Sequence, residues 1–375
     1  MPRTFYVHRY GGLVAARSQS ESGRRVTLAD VAARAGVSVP LVSIVMRDVA
    51  GASPENRARV RRAAEELGYR PDSRARLLRR SRSQLIGVVF GVQHAFHGDL
   101  VSGLYPAAEA LGYELTLSAV TPHRDERRAV AGLLQDRCEA LILLGPELPT
   151  SSLGQLAATM PVVVLARSVR HRDVDVVRTD DAAGLHQAVD HLVGLGHRRI
   201  AHIDGGRAPG AAERRSGYLT ALAGHGLADA DMILSGGLTE DDGAGAARAL
   251  LDLRPLPTAV TVFNDRAATG VLDVLRQNGL AVPGDISVTG YDDSRLARLS
   301  HVALTTIRQD AAALTHAAVA RVVSRLDHET VDVREQVLAP ELIIRQTTGP
   351  LTTAAVTAPR GGRPDTPAGR RRSTQ

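Results

Sequence analysis

Arginines 74, 76, 79, 80 and 82 crowd nine positions of the chain, with Ala75, Leu77 and Leu78 between them. Guanidinium groups in such a run suit phosphate oxygens, because each offers a planar fork of donors. A basic linker held in solvent has the same composition. The wider charge distribution extends the pattern. Residues 24–82 hold 14 arginines against six acids, whereas residues 83–349 hold 24 against 32. All 46 basic residues are arginine. A basic module joined to an acidic body is the charge pattern of a nucleic-acid binder. Catalytic chemistry has much less support. The chain contains no His-Glu-x-x-His, no P-loop, no Gly-x-Ser-x-Gly elbow and no Gly-x-Gly-x-x-Gly after the first strand. His94 and His97, three apart, come nearest to a metal pair and read as part of a pocket wall. Cys138 is the only cysteine. It excludes internal disulfides and Cys-based zinc, and its apolar surroundings make it a core thiol.

Two kinds of element must position these groups. Residues 26–68 predict three short helices: 28–35, 39–46 and one opening at Ser53-Pro54 and ending at Leu67. Thr27 and Ser38 stand where caps for the first two belong. Gly36 permits the turn between them, Ala32 allows close crossing, and Val37 and Val42 pin the second helix. This is either a helix-turn-helix or an ordinary αα-hairpin. From Leu85 strands alternate with helices. Strands are expected at 85–90, 115–120, 140–144, 161–165, 200–204, 232–234, 259–263, 286–291 and 336–344. Helices are expected at 100–111, 126–135, 182–195, 212–225, 242–253, 267–278 and 310–326. Such alternation means parallel sheets covered by helices, with ligands at the carboxyl ends of strands. The length suggests two doubly wound halves. Residues 1–25 and the Thr/Ala/Pro/Gly-rich tail 350–375 read as disordered.

Particular residues go further. Thr27-Leu28-Ala29-Asp30-Val31-Ala32, Gly36-Val37-Ser38, Val42-Ser43 and Leu67-Gly68-Tyr69-Arg70-Pro71 resemble the headpiece of LacI/GalR regulators. The likeness continues in His191-Leu192, Leu195-Gly196-His197-Arg198-Arg199-Ile200, Arg214 to Tyr218, Asn264-Asp265, Gly290-Tyr291-Asp292-Asp293 and Leu304 to Asp310. It spans residues 26–345.

The resemblance implies an all-α helix-turn-helix headpiece (26–70), a hinge helix (71–82) and an α/β ligand-binding and dimerisation body (83–349). The body would consist of two doubly wound parallel-sheet subdomains like those of periplasmic binding proteins. Helix 39–46 becomes the recognition helix, with Val39, Pro40 and Ile44 facing bases. Thr27, Ser38, Ser43 and Arg47 are further DNA-contact candidates. Ile44 stands where many members carry Arg, and Arg47 where many carry Asn. Val, Pro and Ile make only apolar contacts such as those to thymine methyls, so the family's operator sequence does not carry over. Leu78 aligns with the leucine that wedges into the minor groove, and Arg74 and Arg76 would take phosphate or minor-groove contacts. Arg214, Asn264 and Asp292 would grasp an effector, with Phe96 and Phe263 as apolar walls. A polyhydroxyl compound such as a sugar suits that set.

The implied function is a sequence-specific transcription regulator, expected to be a repressor, with operator DNA, a small-molecule effector and a second copy of itself as partners, and no cofactor. Two other classes compete: an enzyme on a doubly wound fold, and a solute-binding transport protein, which needs a secretion signal and has no use for a headpiece. No stretch of about 18 apolar residues exists to span a membrane. The first twenty residues do not read as a signal peptide, so a cytoplasmic site is expected.

Overall fold

The computed structural model describes residues 26–46, 48–69, 82–228, 232–329 and 334–351. The chain divides into two units, Met1–Ser81 and Arg82–Gln375. The first contains α1 (Leu28–Ala35), α2 (Val39–Met46) and α3 (Pro54–Glu66). Thr27 closes a capping box on α1: its Oγ1 accepts from the Asp30 N–H, and the Asp30 carboxylate accepts from the Thr27 N–H at 2.7 Å. Gly36 ends α1 at φ +62°, a left-handed conformation that most side chains disfavour. Val31, Ala32, Val42, Val45, Val60, Ala63 and Ala64 form the core. Small and β-branched residues suffice because the helices are short and cross closely.

The body opens with β1 (Leu85–Gly91), α4 (Ala95–Ala110), β2 (Glu114–Val120), α5 (Glu126–Gln135), β3 (Ala140–Leu144), α6 (Thr150–Ala157), β4 (Val162–Leu165) and β5 (Asp175–Thr179). It continues with α7 (Asp181–Gly194), β6 (Ile200–Asp204), α8 (Ala211–Gly224), β7 (Ile233–Ser235), α9 (Glu240–Asp252), β8 (Ala259–Val262), α10 (Asp265–Gln277), β9 (Ser287–Asp292) and β10 (Thr305–Arg308). It closes with α11 (Ala311–Leu326), β11 (Glu335–Leu338) and β12 (Glu341–Ile343).

Two six-stranded sheets result, in the orders β11-β5-β4-β3-β1-β2 and β12-β10-β9-β8-β6-β7. Every pairing is parallel except β10 with β12. In β3 all five residues are buried, as expected of a central parallel strand covered on both faces. The chain passes between the halves at residue 180, at 309–310 and at 339–340.

Three expectations are corrected. The first body helix begins at Ala95 and not at 100, so Phe96 and His97 belong to its first turn. The strand expected over 336–344 is two strands in different sheets. Pro340 lies at the break and has no N–H to donate to a ladder. Helix α6 and the short strands β5 and β10 were not foreseen.

Candidate functional site

In the small unit, α2 turns Val42 and Val45 inward and leaves Ser38, Val39 and Pro40 exposed. Ser43 and Ile44 are half-buried, and Ile44 faces Gly51. The loop after α2 is tied down by α3. Arg57 and Arg61 each reach the Asp48 carboxylate at 3.0 Å, and Arg57 also donates to the Val49 carbonyl. Apolar Val39 (42% exposed) and Pro40 therefore project from a short, firmly packed helix. Arg47, Arg74, Arg76 and Leu78 lie outside the described residues.

In the body, the candidate residues gather at the crossings between the halves. Arg214, from the first turn of α8, is buried. Its Nε donates to Asp181 Oδ1 at 2.8 Å and its Nη1 to the Phe263 carbonyl at 2.6 Å. The guanidinium lies over the Tyr291 ring at 3.6 Å and the Phe263 ring at 4.5 Å, with Asp292 Oδ1 4.0 Å from Nη2. A charge placed so is held by carboxylates and by ring faces together. Burial alone would lower the guanidinium's pKa, but Asp181, Tyr291 and Asp292 raise it.

Asp292 ends β9 at φ +115°, a costly conformation for a residue with a β-carbon. Oδ1 accepts from Gln309 Nε2 at 2.8 Å. Burial pushes its carboxyl up to about 8 against the pull of Arg214, and Asp265 adds to the rise. Asp265 is fully buried and accepts from Thr306 Oγ1 at 2.6 Å and the Ser294 N–H at 2.7 Å. Next to it, Asp293 is encircled by Arg298, Arg308 and Arg345.

A cavity of about 280 Å³ opens against this network. Phe96, Asp99, Asp292, Arg295 and Gln309 are among its walls. Phe96, from the first half, thus meets Asp292, from the second. Arg214 stands 4.0 Å from Asp292 with Phe263 against its guanidinium, and neither these two nor Asn264 is among the lining residues. Asn264 caps α10, accepting from the Ala267 N–H at 2.7 Å and donating to the Leu238 carbonyl at 3.1 Å. Sequence reasoning missed Asp181, Gln309, Asp99 and Tyr291. Tyr291 adjoins a residue it did select; Asp181 and Gln309 sit at chain crossings, which carry no periodicity.

Comparison with known proteins places this geometry. Residues 27–72 match the bacterial regulatory proteins of the lacI family, and residues 189–348 match a periplasmic binding protein-like domain. The chain is 32% identical to the HTH-type transcriptional regulator GalR of Escherichia coli (strain K12), over 85% of this chain and 94% of that one. It resembles the crystal structure of the lac repressor dimer bound to operator and the anti-inducer ONPF. There the TM-score is 0.75 and the identity 30%, over 87% of this chain and all of that one. A complex of the transcriptional regulator CelR with cellobiose gives a TM-score of 0.64 and 30% identity, covering 86% and 100%. With both the small unit and the body matched in this order, the chain belongs to the lacI family of bacterial regulatory proteins.

Proposed function

We propose that this regulator acts as a homodimer that grips a specific DNA site through α2 and residues 71–82, and changes its grip when a sugar enters the body's cavity. The observation that carries the reading is the meeting of Phe96 with Asp292 at a cavity between two halves joined by three crossings. A ligand held there favours one arrangement of the halves. A ligand shifts a conformational equilibrium only by its differential affinity, typically about 1–3 kcal/mol of coupling.

Supporting the sugar class, the Asp292 and Asp99 carboxyl groups can hydrogen-bond hydroxyls, Gln309 both donates and accepts, and Phe96 offers an apolar face. The CelR relative holds cellobiose. Supporting the dimer and the DNA site, the lac repressor relative is a dimer on operator. Residues 26–70 serve as headpiece, 71–82 as hinge with Leu78 as wedge and Arg74 and Arg76 on the backbone, and 83–349 as the ligand-binding body. The protein works by binding in the cytoplasm and catalyses no reaction.

The test is selection of DNA from a random-sequence pool by the full-length protein, followed by titration of the selected site against mono- and disaccharides including cellobiose. A palindromic site and at least one sugar that alters its affinity are expected. Failure to enrich any sequence overturns the reading.

A further inference from the structure

Arg82 is the first residue of the body, directly after the basic segment 71–81. Its side chain, which the sequence groups with phosphate-seeking arginines, instead fastens three separate elements of the body. Nε donates to Glu139 Oε2 at 3.3 Å, just before β3. Nη2 donates to the Tyr113 hydroxyl at 2.8 Å, just before β2. Nη1 donates to Asp327 Oδ1 at 3.1 Å, at the carboxyl end of α11. The Gln84 N–H adds a bond to the other Glu139 oxygen at 2.9 Å.

An exposed ion pair of this kind adds little stability. Arg82 has 45% of its side chain exposed, so its place in the chain matters more than its contribution to folding. The opposite end of α11 carries the second half of the argument. Asp310 caps it through the Ala313 N–H, and Asp310, Ala311 and Ala312 all line the cavity. A helix of 16 residues spans about 24 Å, so α11 runs from the cavity wall to the Arg82 anchor.

It is also stiffly seated. Leu314, Ala318, Val319 and Val322 pack in the same core as Ile86 and Val88 of β1. Arg325 grips buried Asp175 at 2.8 and 3.0 Å. Gly103 of α4 lies so close that a β-carbon there would come within 2.6 Å of Thr315 Oγ1. These contacts seat α11 along its length against the first half.

We infer that α11 is the rod that links the cavity to the DNA-binding segment, and that Arg82 is the positioning residue that locks the root of that segment to it through Asp327, Glu139 and Tyr113. The inference rests on the regulator reading above and adds the path by which it works. A disturbance at Ala312 should reach the DNA through Arg82 and through no contact of its own.

A double-mutant cycle tests this without a ligand. Ala312→Trp fills the cavity from its exposed rim. Full-length wild type, Ala312→Trp, Arg82→Ala and the double variant are titrated with DNA selected by the wild type, their folding checked by circular dichroism. Ala312→Trp should change the dissociation constant about tenfold in the wild-type background and less than threefold beside Arg82→Ala. Asp327→Asn, a milder change, should reduce the effect of Ala312→Trp in the same direction, which keeps the test open if Arg82→Ala does not fold. Equal effects of Ala312→Trp in all backgrounds, or no effect in the wild type, overturn the inference while leaving the regulator reading intact. Failure of the wild type to select any DNA overturns both.

Discussion

The two halves of the body share a strand order and differ in what they bury. The first half closes around aliphatic strands, β3 and β4 being buried at every position, and among its described residues the fully covered charge is Asp175 with its arginines. The second half encloses Arg214, Asp181, Asp265, Asp292 and Asp293 within one connected region. A fold needs no such arrangement, since apolar side chains of the same volume often do as well. Under the proposed reading, the first half supplies a wall and a lever, and the second backs Asp292 and Asp293 at the cavity with a network of buried polar groups.

The strongest test of that contrast is Arg214→Ala. It leaves Asp181 buried without the cation it pairs at 2.8 Å, which should cost about 3–5 kcal/mol. Arg325→Ala in the first half leaves Arg321 and Arg334 beside Asp175, so the carboxylate keeps cations and a loss below about 2 kcal/mol is expected. Urea denaturation of the two variants measures the difference. Equal losses would remove the asymmetry on which the division of labour rests.

Asp292→Ala addresses function. It should abolish the sugar's effect on DNA affinity, a change of about 5- to 150-fold in the wild type. If the sugar releases DNA, the ligand-free variant still binds its site; if the sugar recruits the protein to DNA, the variant stays weak. Titration of the selected DNA with and without sugar decides between these. A variant that keeps the full wild-type response would show that the regulatory site lies elsewhere.

Much of this architecture was legible in the sequence, and the failures have physical causes. Buried strands such as Ala140–Leu144 and the capped helices α1 and α3 announce themselves because one factor, apolar burial or a cap, decides them. Strand β10 does not. Thr305 and Thr306 carry too little apolar surface to signal a buried strand, yet both are buried, with hydroxyls bonded to Thr348 and to Asp265. Strand β5 begins with Asp175, which sequence patterning reads as exposed and three arginines make buriable. At the site, Asp292 and Phe96 came from a family resemblance. Gln309 and Asp181 depend on where the chain crosses between sheets, which only the fold discloses.

Two glycines sharpen the same contrast at a smaller scale. A β-carbon at Gly205, beside β6, would fall 2.4 Å from the Phe263 ring that backs Arg214. Gly205→Ala should therefore cost about 1–3 kcal/mol and weaken sugar binding. Gly98 in α4 has open space around it, and Gly98→Ala should gain about 0.5–1 kcal/mol from helix propensity. Thermal denaturation reads both, and opposite signs are expected.

An effect of similar size concerns protonation of the buried acids. Burial holds Asp292 up to about 8 and Asp265 up to about 7, whereas an unfolded aspartate titrates near 3.9. Between those values the folded protein keeps protons that the unfolded chain has released. Stability from these groups is therefore fully present below the unfolded value and is lost as pH rises through the folded ones. The buried histidines act in the opposite direction. His202, lowered to about 3 by burial, and His97, also lowered by burial, reduce stability as pH falls through the ordinary histidine value of about 6.5. These histidines are common to wild type and Asp292→Asn, so the difference between the two from pH 6.5 to 7.5 isolates Asp292. Over that interval Asp292→Asn should remove about 1 kcal/mol of the wild type's loss of stability, measured by urea denaturation at the two pH values. A variant with the full wild-type slope would mean that Arg214, 4.0 Å away, already holds Asp292 ionised in the free protein. The second half would then present a ready-made ion pair to its ligand, and not a neutral acid that donates to a hydroxyl.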